Sequence, residues 1–124
     1  MDGVKVQHIE PAHKDKRREL SAIFNGDFTA RQIKLLKIKS GSTLGNHYHN
    51  YNETFYLLSG SANYTFVNIK TMERQDIKIN KRDRITIRPN IAHKAEFFED
   101  TVMIEGTEDP YVSAEVNDKE YIIN

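Results

Sequence analysis

Cysteine is absent from the 124 residues, which excludes disulfide staples, thiolate catalysis and sulfur-ligated metal sites together. Net charge is absent too, because eighteen basic residues balance eighteen acidic ones. Nothing therefore draws the whole molecule to nucleic acid or to an anionic membrane, and neither is expected as a partner. No stretch approaches the roughly 20 apolar residues of a membrane span. The opening MDGVKVQHIEPAHKDKRR lacks the apolar run of a signal peptide, so a cytoplasmic protein is expected. Proline is scarce and scattered (Pro11, Pro89, Pro110), and no repeat or low-complexity tract marks a linker. The length then predicts one domain over 1–124, with a core at about 31–106 and extensions at 1–30 and 107–124.

From Arg31 onward the chain reads as short β-rich runs, RQIKLLKIK, ETFYLL, ANYTFVNIK, DIKIN, RITIR, HKAEFF and TVMIEG, separated by turn formers. Alternation is clearest in Arg84-Ile85-Thr86-Ile87-Arg88, where Ile85 and Ile87 face one way and the polar residues the other, as in a sheet with one wet face. In RQIKLLKIK the apolar set changes parity, from Ile33 and Leu35 to Leu36 and Ile38, which predicts a β-bulge or barrel bend. Leu20, Ile23 and Phe24 recur at helical spacing in HKDKRRELSAIF, so one short N-terminal helix is the only helix expected. Many short strands with almost no helix predict an all-β sandwich or barrel, a jelly roll among the solutions.

The chain has five histidines, and two sit two apart in Gly41-STLGN-His47-Tyr48-His49-NYN-Glu53-TFYLLS-Gly60. Side chains alternate along a strand, so His47 and His49 project to one face, and Glu53 shares their parity if the chain resumes extended form after NYN. Two imidazoles and a carboxylate form a set suited to a divalent ion with open coordination positions. Further on, Arg88-Pro89-Asn90-Ile91-Ala92-His93 supplies a third histidine that barrel closure could bring to the same point. Phe55 and Phe97 share the ligand parity and are expected to line a cavity with Gln32, Met103 and Glu105. The aromatic residues Tyr48, Tyr51, Tyr56, Tyr64, Phe66 and Phe98 read mainly as core or cross-strand packing. The run Lys14-Asp15-Lys16-Arg17-Arg18 reads as a solvated face.

The spacing from Gly41 to Gly60 resembles the first motif of the cupin superfamily, and Pro89 and His93 fall on its second. Asn90 and Arg82 stand where the family has glycine, and Phe97 where it has a final asparagine. The resemblance implies a double-stranded β-helix, a jelly-roll cupin barrel, with one divalent metal ion (Fe, Mn, Ni, Co or Zn) on His47, His49, Glu53 and His93. It also implies catalytic roles for His47, His49 and Glu53. Asp15-Lys16-Arg17 and GDFTARQIKLLKIKSGSTLGNHYH are further similar to small cupins of polysaccharide and sugar-nucleotide biosynthesis. That similarity implies a small oxygen-rich substrate, a sugar or sugar nucleotide, isomerised or epimerised by proton transfer beside a carbonyl in a homodimer. Three other readings stay open: an iron-dependent dioxygenase, a non-catalytic small-molecule binding or sensing barrel, and a metal-free sugar isomerase with His47 or His49 as base.

Overall fold

A computed structural model describes residues 1–124. In chain order its strands are β1 (Val4–His8), β2 (His13–Lys14), β3 (Glu19–Leu20), β4 (Gln32–Ile38), β5 (Thr43–Tyr48), β6 (Glu53–Ser59), β7 (Ser61–Asn68) and β8 (Arg74–Asn80). They continue as β9 (Asp83–Ile87), β10 (Ile91–Glu96) and β11 (Thr101–Thr107), then the single-turn helix α1 (Ala114–Asn117) and β12 (Lys119–Glu120). Two five-stranded antiparallel sheets result, ordered β1-β9-β6-β11-β4 and β12-β5-β10-β7-β8. Their inner faces enclose a core containing Phe66, Leu57, Ile79, Ile85, Ile87, Met103 and Phe97, all nearly or wholly shielded from solvent. This is the all-β jelly-roll class that the strand pattern implied.

Local chemistry explains the turns that close the sandwich. Gly60 joins β6 to β7 at φ +85°, and a Cβ there would stand 2.6 Å from the Asp100 carbonyl oxygen, so only glycine fits. Asn90 (φ +67°) and Arg82 (φ +74°) adopt the left-handed turn geometry without glycine. Asparagine does so at little cost, whereas the Arg82 guanidinium is tied to the Glu19 carboxylate.

Three sequence-based expectations need correction. Residues 13–24 form no helix. Asp15 accepts hydrogen bonds from the backbone N–H of Arg17 (2.8 Å) and Arg18 (3.1 Å), making the turn of a short β2–β3 hairpin instead. The one helix lies near the other end of the chain. The parity change in β4 is no bulge, because β4 pairs with β11 in unbroken register from Gln32 to Ile38. Ile33 and Leu35 simply face outward, 63% and 61% exposed, while Leu36 and Ile38 face in. The register shifts fall elsewhere, between β10 and β5 at His93/Lys94 and between β11 and β6 at Val102/Met103.

The outer face of β9 is not wet at Arg84, which is 2% exposed. The segment Ile23–Asp27 lies over it. Arg84 donates to the Ile23 carbonyl (2.8 Å), to both Asp27 carboxylate oxygens (2.9 Å each) and to Thr54 Oγ1 (2.8 Å), with the Phe24 ring 5.0 Å from its guanidinium.

Candidate active site

The site is assembled from three strands and a strap. His47 near the end of β5 lies directly opposite His93 of β10, so the antiparallel ladder itself sets these imidazoles side by side. Gly45, two residues earlier, makes the approach possible. It has φ +103°, and a Cβ there would collide with the His93 carbonyl oxygen and sit 3.0 Å from Lys94 Cα. His49 lies just past β5, its ring stacked on Tyr51 at 4.9 Å and 18°. Glu53 begins β6 and is 1% exposed.

The structure brings these four residues to one point. Ring centroids of His47 lie 4.8 Å from those of both His49 and His93. Glu53 approaches His49 Nε2 through Oε2 and His93 Nε2 through Oε1, each at 3.1 Å. Neither carboxylate oxygen has a well-aligned hydrogen bond, so both are close contacts with spare bonding capacity. Beside them lies a cavity of about 190 Å³ between the two sheets, walled by His47, His93, Phe55, Tyr64, Phe97, Met103 and Glu105 among others. Phe55, Phe97, Met103 and Glu105 thus take the lining positions expected of them. Gln32 does not, and its side-chain amide donates instead to the Ile33 carbonyl.

Burial and neighbouring charge divide the titratable groups into distinct states. Burial, reinforced by His93 and His49, pulls His47 down to about 4, so it is neutral near pH 7. Burial would also lower His49, but the Glu53 carboxylate overrides it and holds His49 up to about 9. Burial opposes ionisation of Glu53, yet the surrounding imidazoles keep its carboxyl below the usual range. His93 is lowered by burial. Glu105 is pushed up to about 7 by burial and by the charge of Glu53. The cluster therefore holds one buried ion pair, His49 with Glu53, flanked by two neutral imidazoles and a carboxyl that readily carries a proton.

Sequence reasoning missed the strap that follows β11. Asp118 lies 3.7 Å from His47 Nδ1 through Oδ2 and 3.5 Å from His49 Nδ1 through Oδ1. Asn117 accepts a 2.8 Å hydrogen bond from His49 Nδ1 on its main-chain oxygen. Ser113 caps α1 by accepting from Val116 N at 3.2 Å, and a serine before an acidic turn is a helix-start signal in sequence. Nothing in that signal says that the turn beyond it reaches a site nearly seventy residues upstream.

Two facing antiparallel sheets with a histidine cluster at one end of the space between them define the class: this is a cupin barrel. The chain belongs to the polysaccharide biosynthesis C-terminal domain family, whose model matches residues 13–107. Similar solved structures include QdtA, a sugar 3,4-ketoisomerase from Thermoanaerobacterium thermosaccharolyticum in complex with TDP, at 17% identity and TM-score 0.79 over 96% of this chain and 88% of that one. The WlaRB TDP-quinovose 3,4-ketoisomerase from Campylobacter jejuni matches at 19% identity and TM-score 0.80, over 92% and 91% of the two chains. A dTDP-4-dehydrorhamnose 3,5-epimerase from Sulfolobus tokodaii matches at 16% identity and TM-score 0.78, over 96% and 77%. No curated protein sequence matches. No helix is long and apolar enough to cross a membrane.

Proposed function

We propose that the chain is an isomerase or epimerase of a nucleotide-linked keto-sugar, moving a proton on the carbon beside the carbonyl. The observation that carries this reading is His47, neutral and half-buried in the cavity wall, with Nδ1 turned toward Asp118. A hydrogen carried on Nδ1 toward that carboxylate would leave Nε2 as the basic nitrogen. His47 takes the proton from the carbon, and the electron pair moves into an enediolate. When the hydroxyl proton of the deprotonated carbon passes to the former carbonyl oxygen and the abstracted proton is returned to the adjacent carbon, the carbonyl shifts. Delivery of a proton to the original carbon from the opposite face by a second donor or water inverts the centre instead. Glu105, in the same wall, has a proton to lend to the enediolate oxygen near neutral pH. The similar folds include sugar 3,4-ketoisomerases and an epimerase, which supports this substrate class.

The test is incubation with TDP-linked and other nucleotide-linked 4-keto-6-deoxyhexoses in deuterium oxide. Product formation with ring deuterium is expected, together with a loss of at least about 100-fold in His47→Asn. Absence of both turnover and exchange across the panel would overturn the reading. Melting shifts without exchange would then point to the binding barrel, and oxygen uptake with iron to the dioxygenase.

A second reading rests on one further observation. The nitrogens of His47, His49 and His93 lie within 4.8 Å of one another, beside a Glu53 carboxylate whose oxygens have bonding capacity to spare. This sulfur-free set fits a divalent ion such as Fe, Mn, Ni, Co or Zn, held by His47, His49, His93 and Glu53. A bound ion would supply Lewis-acid polarisation of the substrate carbonyl. Elemental analysis of protein purified without a histidine tag decides the matter. Near-stoichiometric metal lost in His49→Ala and Glu53→Gln supports the ion. A content near zero that survives incubation with divalent salts rules it out.

A further inference from the structure

The strap after β11 is mostly exposed, with Val112 at 67% and Val116 at 57%, yet Asn117 within it is 7% exposed. It is the only buried residue of α1, and it is polar. A buried amide must have its bonds satisfied, and this one uses all four side-chain positions. Oδ1 accepts from the backbone N–H of Val112 (2.8 Å) and Ser113 (3.1 Å). Nδ2 donates to the Tyr51 hydroxyl (3.3 Å) and the Pro110 carbonyl (3.2 Å). Its main-chain carbonyl accepts from His49 Nδ1 (2.8 Å).

A carbonyl can only accept, so this bond requires a hydrogen on His49 Nδ1 and turns Nε2 toward Glu53. The ring that Asn117 anchors through Tyr51 is the one stacked on His49. Both the plane and the hydrogen placement of His49 therefore depend on one strap residue. The next residue, Asp118, faces His47 and His49. The strap lies beyond residue 107, where the family match ends.

We infer that Asn117 is a positioning residue: it locks the strap against the histidine cluster and so fixes the imidazole of His49 and the stance of Asp118 against His47. The inference deepens the isomerase reading but has a readout independent of it. In nitrogen-15 spectra of the ligand-free protein, the Nδ1–H of His49, assigned by its loss in His49→Gln, is expected to resist exchange with solvent. Asn117→Ala should abolish that protection. Ser113→Ala, which removes the cap of the same helix turn but leaves every Asn117 bond in place, should keep it.

If Asn117→Ala does not fold, Asn117→Asp retains the acceptor for Val112 and Ser113 and loses only the two donated bonds. Partial loss of protection is then expected. In turnover, Asn117→Ala should lower kcat about 10–100-fold, the usual effect of losing a group that orients a functional histidine, with KM moving less than about 3-fold and Ser113→Ala near wild type. Retained protection in Asn117→Ala and Asn117→Asp would overturn the inference. Equal loss in Ser113→Ala would do so as well, by showing that any loosening of the turn suffices. Lost protection with no turnover in any variant, wild type included, would refute the isomerase reading and leave the positioning role standing.

Discussion

At the scale of single residues, the buried charges make a claim about pH and stability. His49 is held up to about 9 in the folded protein against about 6.5 for a free imidazole. Folding therefore favours its proton, and the stability this contributes is complete below pH 6.5 and lost as pH rises through about 9. His47, pulled down to about 4, behaves in the opposite sense: its contribution is present above 6.5 and lost as pH falls through about 4. Glu105, raised to about 7, adds a decline between about 4.5 and 7, so the interval from 7 to 9 reports on His49. We expect the urea midpoint to fall across pH 7–9 in the wild type and to be much flatter in His49→Gln. An unchanged slope in that variant would show that the His49–Glu53 pair does not hold the extra proton. If His47 is the base, as proposed, the acid limb of the pH–rate profile should likewise lie near pH 4 rather than 6.5, because that imidazole stays neutral until then.

At the scale of elements, the meeting of β5 with β10 decides whether His47 and His93 stand side by side. Gly45→Ala must relieve both a left-handed φ and a clash with the His93 backbone, whereas Gly41→Ala meets the same sign of φ with open space around it. The expected cost is about 1 kcal/mol for Gly41→Ala and clearly more for Gly45→Ala, which should also lose at least about 10-fold in kcat/KM as the two imidazoles part. Equal stability and activity in the two variants would remove the role assigned to Gly45. Elements with strict alternation were legible from sequence, as Ile85 and Ile87 show, since the apolar core-facing side leaves a period of two even where a segment covers the polar side. The Gly41–Gly60 spacing likewise located His47, His49 and Glu53, because those ligating types are near in sequence and share parity. The helix expected over residues 13–24 failed for a local reason: Asp15 offers its carboxylate to the next backbone N–H groups and wins over a weak apolar period. In β4, Ile33 and Leu35 point to solvent, and a parity rule cannot foresee apolar residues on an outer face.

At the scale of the whole molecule, what stayed hidden was contact between distant segments. Asn117 reaches His49 across 68 residues, and Arg84 reaches Asp27 across 57 and Ile23 across 61; neither separation leaves a periodic trace. Arg84 makes the second case testable apart from the first. It clamps the Ile23–Asp27 segment to the outer face of the sheet, whose inner face bears the cavity, so its loss should weaken the fold while leaving the chemistry intact. Arg84→Met keeps much of the aliphatic bulk and removes every donated bond. Asp27, 46% exposed at its side chain, can return to water, but the Ile23 carbonyl and Thr54 hydroxyl lose a buried partner. A cost of about 2–4 kcal/mol follows from losing several charge-assisted bonds at a buried guanidinium. The control is Arg88→Met, an exposed position on the same chain segment, where about 0.5 kcal/mol or less is expected. Urea unfolding gives the stabilities, and kcat/KM at a temperature where both variants stay folded gives the second measurement. Arg84→Met should match the wild type there within about 3-fold. A loss of activity as large as that of Asn117→Ala would mean that the outer clamp also shapes the cavity, and that the two long-range contacts act as one.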